Sequence, residues 1–174
     1  MQNPFYLKQM PVDGEFCNRT KEIKELADFT RSKNNEVLYG PRRYGKTSLL
    51  RRMQYQLSAE GVVAVYVDFY GVGSVDDVAS RMAEAVFKVT RHKESVWKKA
   101  LRAIISFRPI LKPTADGNVE VSIEAASCQS GMPLLKNTME ELGQFIASSD
   151  ELVSIVLDEF QEIVTLKDCL KIEA

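Results

Sequence analysis

The chain has little of what several chemistries require. His92 is its only histidine, which excludes multi-histidine metal sites and argues against a histidine-based catalytic triad. Cys17, Cys128 and Cys169 are odd in number, scattered, and without metal-ligand spacing. They read as reduced thiols in a cytoplasmic protein. An excess of either charge is missing too. Lys and Arg total 23 against 24 Asp and Glu, a net charge of −1, so there is no global nucleic-acid signature. No apolar run approaches the length of a membrane span, and Met1-Gln2-Asn3-Pro4 does not read as the start of a signal peptide. The expectation is a cytoplasmic protein with no membrane partner. Repeats and low-complexity stretches are also lacking. What is left is an ordinary globular composition, 45% hydrophobic and 27% charged over 174 residues. That is room for one domain with a core, or one domain and a small appendage.

One stretch stands out against this background. Gly40-Pro41-Arg42-Arg43-Tyr44-Gly45-Lys46-Thr47 fits G-x-x-x-x-G-K-[ST], the phosphate-binding P-loop or Walker A pattern. With glycine near 7% of residues, an accidental match in such a chain has a chance on the order of 1%. The flanks lower it further. Glu36-Val37-Leu38-Tyr39 is β-prone, and Leu49, Leu50, Met53 and Leu57 follow at helical spacing, giving the strand, loop and helix that the motif needs. The glycines let backbone N–H groups turn toward a polyanion, and the helix adds its unpaired N–H groups and dipole. Gly40 to Thr47 and the adjacent Ser48 are therefore candidate nucleotide-binding residues. Lys46 is placed to reach the β- and γ-phosphates, and the Thr47 hydroxyl to ligate Mg2+.

The rest of the chain reads as alternating helices and strands. Residues 1–15 are extended. A helix capped by Thr20 places Ile23, Leu26, Ala27 and Thr30 on one face. After the P-loop helix, with Glu60-Gly61 as its C-cap, Val62 to Val67 is a β-branched run suited to a strand covered on both faces. Ser74 with Asp77 resembles a capping pair for a helix carrying Val75, Val78, Ala79, Met82, Val86 and Val89. A second helix is predicted over 94–106, with Val96, Trp97, Ala100, Leu101, Ile104 and Ile105 as its apolar stripe and Trp97 packed inward. Val119, Val121 and Ile123 alternate with polar residues. They predict a half-exposed strand that pairs with 107–112 as a hairpin, a β insertion over 107–125. Leu135, Met139, Leu142 and Ile146 mark a further helix.

Leu152-Val153-Ser154-Ile155-Val156-Leu157-Asp158-Glu159 is the second informative stretch. An apolar strand ending in Asp-Glu describes a Walker B strand. Its carboxylates emerge at the carboxyl end, where doubly wound sheets bind ligands. Asp158 is a candidate metal residue opposite Thr47. Glu159 is a candidate general base that polarises water for attack on the γ-phosphate. Alone, Asp-Glu after a strand is a weak signal. Downstream of a P-loop it points to a hydrolytic site. The predicted fold class is α/β, a three-layer P-loop domain with a parallel sheet and the small β insertion.

Three segments together resemble the archaeal-type ATPase family, a group close to AAA+ and STAND ATPases. They are Phe16-Cys17-Asn18-Arg19-x-x-Glu22-Ile23-x-x-Leu26, the P-loop with Ser48-Leu49, and Leu157-Asp158-Glu159-Phe160-Gln161. The resemblance spans roughly residues 14–166, with Cys17-Asn18 departing from a commoner Val-Gly. It implies ATP rather than GTP, and lays Phe16 to Arg19 against the adenine; without it, Phe16 reads as packing at a helix start. It also implies a strand order in which a fourth strand lies between the P-loop strand and the Walker B strand. Only residues 160–174 follow Glu159, enough for one helix with Ile163, Val164 and Leu166. Four explanations arise: a truncated chain, a naturally short reading frame, completion by another chain, or rearrangement with the Walker B strand directly beside the P-loop strand. Truncation is the expectation, with weak nucleotide binding and slow hydrolysis.

The functional expectation is Mg2+-dependent ATP binding and hydrolysis, catalysed through Glu159 and Lys46, driving a conformational motor or switch. The alternatives are a nucleotide-dependent binding module with little turnover and a P-loop kinase. ATP and ADP are the expected ligands. A protein partner or self-association fits the switch reading, whereas DNA enters only through a C-terminal domain outside this sequence. Some of the cations Arg42, Arg43, Arg51 and Arg52 could touch phosphate or a neighbouring subunit, a solvated face being at least as good a reading for Arg51 and Arg52. Those from Lys88 to Arg108 could contact nucleic acid or an acidic partner but read better as a solvated helix face. Asp68 reads as a structural hydrogen-bonding residue, and Gln161 as one that either helps orient water or reads nucleotide state.

Overall fold

The computed structural model of the protein describes residues 19–41, 43–114, 119–126 and 129–166. Helices α1 (Thr20–Arg31) and α2 (Lys46–Ala59) precede strand β1 (Val63–Asp68). Helices α3 (Val75–Thr90) and α4 (Glu94–Ala103) follow, then the hairpin β2 (Phe107–Pro113) and β3 (Val119–Ala125). Helix α5 (Met132–Ser148) leads to β4 (Val153–Asp158) and a 3-10 helix over Phe160–Thr165.

β1 and β4 pair in parallel, with Tyr66 opposite Val156 and Asp68 opposite Asp158. Side chains alternate across a strand, so each strand feeds two cores. Val63, Val65 and Val67 turn toward α3, α4 and α5, where Phe69, Phe87 and Phe145 are fully buried. Tyr66 and Val156 turn the other way, onto Ile23, Ala27, Leu49, Met53 and Leu57 of α1 and α2. Helices, sheet and helices form three layers, as the apolar patterns predicted. Among the described residues no helix is long and apolar enough to cross a membrane.

Local predictions hold where the signal is local. Ser74 caps α3, its side chain accepting the Asp77 N–H at 3.1 Å. Trp97 packs edge-on against Phe87 with ring centres 5.6 Å apart. The hairpin forms, antiparallel from Phe107↔Ala125 to Pro113↔Val119, as a sheet separate from β1 and β4. The cations of 88–108 are tied in part within the chain, through Lys93–Glu151 at 2.7 Å and Lys99–Asp150 at 2.5 Å. Asp68 accepts the Tyr70 N–H at 2.9 Å.

Five predictions are corrected. Thr20 is the first helical residue and Arg19 occupies the cap position of α1, without a side-chain cap. Helix α4 ends at Ala103, leaving Ile105 70% exposed. The last helix predicted is a 3-10 turn over 160–165, and residues beyond 166 lie outside those described. On α5 the buried stripe is Leu134, Leu135, Thr138, Glu141, Leu142 and Phe145, while Met139 and Ile146 face solvent. Two polar residues hide that stripe from a hydrophobic pattern. Thr138 bonds back to the Leu134 carbonyl at 2.8 Å, and Glu141 accepts from the Ser106 N–H and hydroxyl.

The fifth correction bears on the site. Residues 36–39 join no ladder. Leu38 packs on the α1–α2 core, while Val37 and Tyr39 are 92% and 96% exposed. Among the described residues β4 pairs with β1 and not with residues 36–39, so a pairing of the Walker B strand beside the P-loop strand is not what forms. Val63 N–H bonds to the Leu152 carbonyl and Phe69 N–H to the Asp158 carbonyl. The even-numbered carbonyls of β4 thus face β1, and Val153, Ile155 and Leu157 turn their backbone groups to the opposite edge.

Candidate nucleotide site

The loop between Tyr39 and α2 has the backbone its sequence requires. Gly45 takes a left-handed conformation (φ 72°) immediately before α2, a geometry that favours glycine, and Arg43 is left-handed as well (φ 64°). Lys46 and Thr47 open the helix, so their N–H groups lack partners one turn back and the positive end of the dipole lies at the loop. The Lys46 ammonium folds onto its own loop, donating to the carbonyls of Gly40 at 2.9 Å and Pro41 at 3.0 Å. Reaching a phosphate requires it to leave both. Tyr44 is exposed and Ser48 half-buried. Arg42 and Phe16 lie outside the described residues.

β4 delivers Asp158 and Glu159 to the same place. Asp158 is 7% exposed, on the strand face that turns toward α2. Its Oδ2 accepts the Thr47 hydroxyl at 2.7 Å, across 111 residues of sequence. Oδ1 accepts the Glu159 N–H at 3.0 Å. Glu159 is left-handed (φ 53°), a conformation uncommon outside glycine. It breaks the strand and turns the carboxylate away from the ladder, where the Gln161 amide donates to Glu159 Oε2.

Three residues at the site go beyond the sequence reading: Tyr66 and Arg81 were not singled out, and Arg51 was weighed only as a phosphate or subunit contact or a solvated face. Tyr66 donates its phenol to Asp158 Oδ2. Burial and the bond to Asp158 raise the Tyr66 phenol above its usual range, so it stays protonated and a donor. Arg51, one turn beyond Thr47, lays its guanidinium carbon 4.3 Å from the centre of the Tyr66 ring. The third is Arg81, which donates to the carbonyls of Asp68 and Tyr70, both at 2.9 Å, and fixes the loop after β1. A signal for Tyr66 does exist: a tyrosine in an otherwise aliphatic strand carries a hydroxyl that needs a partner. Arg19 also has a contact that the sequence does not announce. Its guanidinium donates to the Tyr44 carbonyl at 2.9 Å and pairs with Glu22 at 3.1 Å, so it braces the P-loop from α1.

Thr47 and Asp158 together offer oxygen donors, the kind Mg2+ takes when substrate phosphates and water complete its shell. Among the described residues no group of three or more His, Cys, Asp or Glu stands ready to hold a metal alone. The donor set fits a cation that arrives with a nucleotide.

The sequence model of a family described as an ATPase domain predominantly from Archaea matches residues 16–172. No curated protein matches the chain. No solved structure matches it either.

Proposed function

Because the chain belongs to the family of ATPase domains found predominantly in Archaea, we propose that it binds ATP at the start of α2 and hydrolyses it with Mg2+, turnover serving a conformational motor or switch. Backbone N–H groups from Arg43 to Thr47 wrap the phosphates, and Lys46 moves from its loop carbonyls onto the β- and γ-oxygens. Thr47 and Asp158 would hold the Mg2+, which would supply neutralisation of phosphate charge. Glu159 takes a proton from the water that attacks the γ-phosphorus, and the bond to the ADP oxygen breaks in line.

The observation that carries this reading is the 2.7 Å bond from Thr47 to Asp158. It joins two motifs far apart in sequence in the arrangement a metal–phosphate site needs. Phosphate release and nucleotide binding, measured for wild type, Lys46→Ala and Glu159→Gln, test it. Lys46→Ala should lose nucleotide binding. Glu159→Gln should bind and turn over at least about 100-fold more slowly. Undiminished turnover in Glu159→Gln refutes the assignment, and phosphate appearing on an added acceptor rather than in water favours a kinase.

A second reading, a nucleotide-controlled binding module with little turnover, draws on the engagement of Glu159 by Gln161 and of Lys46 by the loop. In that case Glu159→Gln keeps the partner-bound output while losing residual hydrolysis.

A further inference from the structure

We propose that Tyr66 is a positioning residue for the metal-binding carboxylate: its phenol holds Asp158 in place when Thr47 turns its hydroxyl to the metal. The proposal rests on the ATPase reading above. It concerns how the Asp158 carboxylate keeps its orientation once its present contact to Thr47 changes.

The placement follows from register. Tyr66 stands opposite Val156, and Asp158 lies two residues further along the same face of β4. An aromatic side chain reaches that diagonal position. Among the described residues Asp158 Oδ2 takes two donors, the Thr47 and Tyr66 hydroxyls, while Oδ1 takes only the Glu159 N–H. A cation bound to the Thr47 oxygen takes a lone pair there, leaves the O–H able to donate, and pulls on both Thr47 and Asp158 Oδ2. The Glu159 N–H holds the opposite oxygen, and among the described residues the Tyr66 phenol is the donor to Oδ2 that stands outside the Thr47–metal pair.

Tyr66 is itself held. Its ring packs against the α1–α2 core that includes Leu49, Met53 and Val156, and Arg51 covers its face. Among the described residues Arg51 Nε is buried without a hydrogen-bond partner, and the guanidinium that carries it lies over the Tyr66 ring. Thr47 and Arg51 project from one face of α2, a turn apart. One helix therefore carries both the metal-facing hydroxyl and the cover of the tyrosine that steadies Asp158.

Tyr66→Phe removes the hydroxyl and keeps the ring, its packing and the Arg51 contact. Calorimetric titration of ADP into wild type, Tyr66→Phe and Arg51→Met, with Mg2+ absent and with Mg2+ varied, is the test, with thermal melting of each ligand-free chain beside it. In Tyr66→Phe the Mg2+ midpoint for enhanced ADP binding should rise by about tenfold or more, the usual cost of losing a contact behind a metal ligand. Metal-free ADP affinity should stay within about twofold. Arg51→Met, which keeps the hydroxyl but uncovers the ring, should raise the midpoint by about threefold. An unchanged Mg2+ midpoint in Tyr66→Phe overturns the proposal. So does an equal loss of ADP affinity with and without Mg2+, the mark of a merely structural tyrosine. If wild type itself binds no ADP, the ATPase reading fails and takes this proposal with it, an outcome distinct from the other two.

Discussion

The two faces of the β1–β4 pair are built differently. Toward α3, α4 and α5 the strands meet a broad apolar core with three fully buried phenylalanines. Toward α1 and α2 they meet a small cluster that gives way, at the carboxyl end of the strands, to Asp158, Tyr66, Arg51 and Thr47. The broad face supplies most of the burial, and hydrophobic stabilisation scales with apolar area removed from water. The thin face carries the candidate site. On the proposed reading, releasing Lys46 from its loop and admitting a polyanion there moves fewer apolar contacts.

That contrast can be broken from either side. On the broad face, Phe87→Ala should cost about 3–5 kcal/mol by cavity formation and lost contact with Trp97, read as a drop in the denaturant midpoint. Nucleotide affinity of the molecules that remain folded should hardly change. On the thin face the pattern should reverse. Glu159→Gln should leave the denaturant midpoint within about 0.5 kcal/mol of wild type, as expected away from the core, while turnover collapses. A Phe87→Ala protein that is stable but no longer binds would contradict the division of labour.

Much of this was legible because some signals act over a few residues. The Gly45-Lys46-Thr47 turn, the Ser74 cap and the alternation from Val119 to Ile123 each fix their own backbone. What sequence could not supply is the partner across space. The β-propensity of Val37 and Tyr39 does not say which strand will pair with them, and among the described residues none does. The α5 stripe was missed because Thr138 and Glu141 are buried by satisfying their polar groups locally or on Ser106. The contact of the Arg19 guanidinium to the Tyr44 carbonyl joins residues 25 apart in sequence and likewise has no local signal. Phe16 lies outside the described residues, so the adenine side of the expectation has no geometry beside it.

Smaller effects sharpen the comparison. Ser74→Ala removes the cap of α3 and should lower stability by about 1 kcal/mol, observable in the same denaturation experiment, without touching the site. At the far end of α1, Arg31 donates to both oxygens of Glu60, which joins α1 to the end of α2. The hydrogen bond from Arg31 lowers the Glu60 pKa below its ordinary value. A depressed folded-state pKa means the contribution is present above the ordinary glutamate range and is lost as pH falls through the folded value. Glu60→Gln should therefore flatten the acid side of the melting-temperature profile slightly and change nothing near neutrality beyond a small, salt-screened loss. A large neutral-pH effect would show the α1–α2 face to depend on surface charge rather than on its apolar cluster.

The most direct test of the central claim, that Thr47 and Asp158 form one metal–nucleotide site, is Mg2+-dependent ATP binding by wild type and Asp158→Asn. The account predicts that wild type gains affinity on adding Mg2+ and that Asp158→Asn loses most of that gain, with its metal-free affinity retained. Equal Mg2+ enhancement in both proteins would contradict it.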